Sequence, residues 1–121
     1  MKKPIRLTLK STWFRLIRDH KKLEEYRDIK PYYCARLCKN YKNDEYCADC
    51  NKNGCRPVPK SDRVVFSLGY PKKTDHDKFV TCKILGLRKD YGRWLWGAPH
   101  SYKVFIIEIE REQQCNTKLP M

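Results

Sequence analysis

A chain of 121 residues is long enough for one hydrophobic core and too short for two, and its 27 lysines and arginines against 14 aspartates and glutamates give a formal charge of +13. A basic excess of that size typically faces a polyanion such as nucleic acid, although charge alone also fits a merely soluble basic protein. No apolar run approaches the ~20 residues that cross a bilayer, and the opening MKKPIRLTLK lacks the continuous apolar stretch of a secretory signal. The expectation is a cytoplasmic protein without membrane contact, in which seven cysteines are thiols or metal ligands and not disulfides.

In chain order, Ile5, Leu7 and Leu9 alternate with Arg6, Thr8 and Lys10, the period of two of a strand with one buried face. Ser11 or Thr12 then stands where a helix cap is needed, and Trp13, Leu16, Ile17 and His20 recur at helical spacing, which predicts a short amphipathic helix over about 12–20. Next, Leu23, Glu25, Arg27 and Ile29 share one strand parity and Glu24, Tyr26 and Asp28 the other. A carboxylate and a guanidinium thus lie on the face of two aliphatics, which implies a buried or cleft-lining Glu25–Arg27 pair, equally consistent with a structural salt bridge and with binding. Residues 30–60 show no periodicity and read as an insertion, not an element. Strands resume with RVVFSLGY, FVTCKILGLRK and YKVFIIEIE, in which Val64, Phe66, Leu68, Val80, Cys82, Ile84, Phe105, Ile107 and Ile109 occupy inward positions. One strand, one helix and four further strands make a single small α+β domain over 1–121, a partly closed barrel with a C-terminal tail at 111–121.

The insertion sets Cys34, Cys38, Cys47, Cys50 and Cys55 close together, with a C-x-x-C pair able to grip one tetrahedral ion. Cys38, Cys47, Cys50 and Cys55 are the favoured ligands of a structural zinc, with Cys34 the alternative to Cys38. Such a site would hold the insertion rigid and present Lys39, Lys42, Lys52 and Arg56 to a partner; Cys82 reads as a core residue and Cys115 as a free thiol. Tyr26, Tyr32 and Tyr33 bracket a basic segment, and DYGRWLWGAPHSY brings Arg93, Trp94 and Trp96 together with Tyr91, His100 and Tyr102. Rings interleaved with cations hold unpaired bases, at ~1–3 kcal/mol per stack. The W-x-W spacing equally fits two tryptophans on one face of a strand, with Trp94 or Trp96 in the core.

The order strand, short helix, HKKLEEYR entering a second strand, then VVFSLGY, WGAP and a closing VFIIEI strand resembles the ASCH domain, a branch of the PUA-like β-barrels. The family pattern G-x-K-x-x-E-x-R is matched by His20, Lys22, Glu25 and Arg27, with histidine in place of the glycine. The resemblance covers most of the chain outside the insertion and the tail. It implies a cleft between the helix-to-strand turn and the barrel that accepts single-stranded RNA, a nucleotide or a nucleoside. Lys22 would contact phosphate, Glu25 an exocyclic amine and Arg27 a phosphate or base edge. One branch of the family resembles an amidohydrolase of acylated cytidine. Its threonine is Glu25 here, and a carboxylate does not replace that hydroxyl nucleophile. A ribonuclease using Lys22 and Glu25 is the other catalytic reading, and a regulator acting through protein contacts is a third.

Overall fold

The computed structural model describes residues 2–50 and 54–112. The first strand, β1 (Ile5–Leu9), buries Ile5, Leu7 and Leu9 as its alternation requires. It runs parallel to β3 (Arg63–Leu68), with Leu7 beside Phe66. Parallel neighbours need a long crossover, and here the crossover carries α1 (Ser11–Arg18), β2 (Glu24–Arg27), α2 (Pro31–Leu37) and α3 (Asp44–Ala48). From β3 the chain doubles back antiparallel into β4 (Phe79–Asp90), then β5 (Val104–Arg111), and β2 pairs with the outer side of β5. The order β1-β3-β4-β5-β2 leaves β1 and β2 as the two sheet edges. An irregularity in β4 between Ile84 and Gly86 bends the sheet in the manner of a bulge, giving a half-barrel in which all five strands belong to one sheet.

The core lies inside the curve. Val64, Phe66, Val80, Cys82, Phe105, Ile107 and Ile109 fill it, and Phe14 and Ile17 of α1 cover it. Ala98, Val104 and Ile106 are also buried but outside this cluster. Ile106 stands opposite Tyr26, so the loop after β4 covers part of the outer face with a second, smaller apolar layer.

Four expectations need correction. The helix α1 begins at Ser11 with Lys10 at its cap position and no side-chain cap bond, because only Lys10 separates it from β1. The second strand is confined to Glu24–Arg27; Leu23 is exposed, and Ile29 lies beyond the strand against the core. The insertion is not structureless: Pro31 opens α2 at its first turn, a position that loses no hydrogen bond, and the Asn43 side chain accepts from the Tyr46 amide to cap α3. Trp94–Trp96 is a 3-10 turn and not a strand, and neither tryptophan belongs to the core. The strand reaches Arg111 and the Glu112 amide bonds the Thr81 carbonyl; residues 113–121, including Cys115, lie outside the described residues, as does Lys52.

Candidate functional site

The half-barrel does not close by backbone pairing. Its two edges are joined instead by one side chain, since Arg27 Nη2 of β2 donates to the Thr8 carbonyl of β1 at 2.7 Å. Strand register explains the reach: Arg27 stands opposite Phe105 and Glu25 opposite Ile107, so both point to the core side, at the mouth of the seam. There the charges form a ladder. Lys22 Nζ donates to Glu25 Oε1 at 2.7 Å, and Arg27 Nε and Nη2 donate to Glu25 Oε2 at 3.1 and 2.8 Å. Arg27 Nη1 donates to the Tyr33 hydroxyl at 3.3 Å.

Among the described residues Lys22 (2% exposed) and Glu25 (5%) are the only fully buried charged residues. Removing one partner from such a pair costs ~3–5 kcal/mol, because the other charge stays buried alone. Lys22 Nζ also lies over the Trp13 ring at 4.7 Å and the Tyr26 ring at 5.4 Å. Burial pulls the Lys22 pKa below its ordinary value, against the opposing pull of the Glu25 carboxylate. One carboxylate between two cations leaves the ladder with a net positive charge.

A hollow of about 460 Å³ opens on this ladder, bordered by Thr8, Lys10, Trp13, Glu25, Arg27 and Gly69. Glu25 and Arg27 therefore face it, while Lys22 stands behind them and holds the carboxylate. The loop carrying the tryptophans packs against the same region from the other side. The Arg93 amide donates to the Tyr26 hydroxyl at 3.0 Å, and a Cβ on Gly97 would come within 3.0 Å of the Trp13 ring. With φ at 99° as well, Gly97 satisfies both a left-handed turn and a close approach.

The structure thus gathers Lys22, Glu25, Arg27 and Tyr33 into one contact network. Tyr32 packs edge-on to Tyr33 at 5.0 Å but points into solvent. Trp94 is 61% exposed and stacks near His100, and Arg93 lies over Trp96 at 4.9 Å; none of these four borders the hollow. Sequence reasoning missed Trp13 and Thr8. Trp13 was legible only as an amphipathic position of α1, and Thr8 contributes a backbone carbonyl, which leaves no mark in the residue types.

The cysteines of the insertion are drawn together. Cys34, Cys38, Cys47 and Cys50 are buried and Cys55 is half-buried. The insertion is closed at its base by the Cys38–Pro59 bridge and by the Lys39 amide on the Val58 carbonyl at 2.7 Å. The sulfurs differ in role: Cys34 Sγ donates toward the Cys47 carbonyl at 3.8 Å, whereas Cys55 Sγ accepts from Asn40 Nδ2 at 3.4 Å and Cys50 Sγ from Lys89 Nζ at 3.3 Å. Burial, with neighbouring thiols adding to it, pushes Cys34 and Cys38 up to about 12. No group of three His, Cys, Asp or Glu side chains among the described residues stands ready to hold an ion, so a tetrahedral metal would require the sulfurs to close upon it.

Comparison of the chain with protein-family models, curated proteins and solved structures gave no match. No helix among the described residues is long and apolar enough to cross a membrane.

Proposed function

We propose that the seam is the ligand site of an RNA- or nucleotide-binding module of the ASCH type, within the PUA-like barrels. The observation that carries this reading is the buried Lys22–Glu25–Arg27 ladder facing a hollow walled by Trp13. A purely structural ion ladder has no stability advantage over aliphatic side chains of similar volume. A ladder that faces an open, aromatic-walled hollow suits recognition instead: Glu25 accepts from an exocyclic amine, Arg27, whose Nε and Nη2 hold Glu25 and the Thr8 carbonyl, offers its charge and its remaining Nη1 N–H to a phosphate or base edge, and the ring stacks on the base. Lys22 is a positioning residue, because its ammonium is spent on Glu25.

Titration of a labelled single-stranded RNA at low salt tests this by fluorescence anisotropy. Binding should weaken by ~0.7 log units per phosphate contact for each log unit of added salt, and Arg27→Lys, which keeps the charge but loses the fork, should weaken it about tenfold. Undetectable affinity at low salt would sink the proposal.

A second reading, a ribonuclease or a hydrolase of modified nucleosides, rests on the lowered pKa of Lys22 beside a carboxylate, a combination suited to proton transfer. Incubation with RNA and with acylated cytidine decides it, since turnover that survives Lys22→Met in folded protein excludes Lys22 as a catalyst.

The insertion fits a supporting role. A zinc held by Cys38, Cys47, Cys50 and Cys55 would pin it beside the sheet, with Lys89 of β4 and Asn40 donating to two of the sulfurs as outer contacts that steady a thiolate site. Cys34 behaves differently. Its sulfur donates a proton to a carbonyl, which suits a buried thiol and not a ligand.

A further inference from the structure

The hollow at the ladder is not isolated. It shares Thr8 and Arg27 with a second hollow of about 460 Å³, and that one shares Arg6 and Arg36 with a third of about 750 Å³. The three follow one another along the free edge of β1. From Lys3 to Lys10 that edge extends ~23 Å at ~3.3 Å per residue. Its walls carry six cations, Lys3, Arg6, Lys10, Arg27, Arg36 and Lys60, against one carboxylate, Glu25, which Lys22 and Arg27 already neutralise. The hollow on the far side of the sheet is mixed instead, with Glu110 and Glu112 among Arg63, Lys83 and Arg111. Rings alternate with the cations along the track: Arg27 lies over Tyr33 at 5.6 Å and Arg36 over Tyr32 at 5.4 Å, and Tyr70 is 94% exposed in the middle hollow.

We propose that this edge is a track for a single-stranded polynucleotide several residues long, with one base seated at Glu25 and Trp13 and the following phosphates running past Arg27, Arg36 and Arg6 toward Lys60. The inference deepens the nucleic-acid reading of the seam and rests on it. A peptide adding as a strand is disfavoured, because the outward carbonyls of Arg6 and Thr8 already accept from Arg36 Nη2 at 2.8 Å and Arg27 Nη2 at 2.7 Å. Cations spaced along a groove with exposed rings between them are what a phosphate backbone and unpaired bases require.

Affinity as a function of ligand length tests the track. A single-stranded RNA of about eight nucleotides should bind about tenfold or more tighter than cytidine monophosphate at low salt. The double variant R6S/K60S, verified as folded by circular dichroism, should reduce the salt slope for the oligonucleotide by about 1.4, two contacts at ~0.7 each. An oligonucleotide that binds no tighter than the mononucleotide, or a salt slope unchanged in the variant, overturns the track and leaves the nucleotide cleft standing. Absence of binding by both ligands overturns the track together with the seam reading. Polyglutamate of matching charge that binds as tightly as the RNA assigns the groove to acidic protein segments instead and overturns the polynucleotide.

Discussion

His20 holds a left-handed backbone (φ 62°), the one non-glycine residue among those described to do so. It occupies the position where the ASCH pattern has glycine, at the turn that delivers Lys22 and Glu25 to the seam. A side chain in that region costs up to ~1–2 kcal/mol, less for histidine, which tolerates it better than most. His20→Gly should therefore raise stability by up to ~1 kcal/mol, read as a higher urea midpoint with an unchanged slope. A lower midpoint would mean that the contact of Arg111 Nη1 with His20 Nε2 at 3.3 Å outweighs the backbone relief. The letters showed the substitution and the shared face of Glu25 and Arg27, because parity along a strand is local. They could not show that Arg27 reaches Thr8, nineteen positions away, since that contact exists only once both strands become edges of one sheet. Arg6 was hidden for the same reason: an outward residue on an edge strand and one on a central strand alternate identically.

Among the elements, the strands were legible and the insertion was not. A period of two over Ile5–Leu9 or Val104–Arg111 leaves one solution once a core exists, although β5 departs from it by burying Ile106 beneath the following layer. The helix α2 buries only Cys34 and Leu37, too few apolar residues to register as a helical stripe, and it is held by the thiols around Cys34 together with Lys60 on the Ala35 and Leu37 carbonyls and Arg36 on the Arg6 carbonyl. That gives the insertion a specific vulnerability. Elemental analysis of purified protein should find one zinc per chain, lost in Cys50→Ser and kept in Cys34→Ser, and chelation should melt the insertion while the sheet persists, as followed by amide exchange. Metal-free wild-type protein with the same exchange pattern would mean that packed thiols suffice. The exposed basic residues Lys39 and Arg56 would then keep their rigid support without a metal.

At the scale of the molecule, the sheet leaves its two edges unpaired and sets Arg27 and Arg36 on the Thr8 and Arg6 carbonyls of the β1 edge, so the seam is both a structural closure and a charged surface. The stability of that arrangement has a defined alkaline limit. Cys82, on β4 against Val64, is fully buried, and burial raises its thiol from the ordinary 9.0 to about 12. Between those values the unfolded chain has lost the proton that the folded chain retains, so raising the pH favours unfolding and stability falls from about pH 9 toward about pH 12. Tyr26, raised chiefly by its own burial, acts with the same sign at higher pH. Lys22, whose pKa is lowered in the fold, acts with the opposite sign up to its ordinary 10.5, because there the unfolded chain holds the extra proton. Urea titrations at about pH 8 to 11 should show a fall that Cys82→Ala makes shallower by up to one proton, ~1.4 kcal/mol per pH unit. Since metal, tyrosine and Lys22 contributions are common to both proteins, parallel curves would show that the Cys82 thiol ionises within the folded state and that this part of the core admits water.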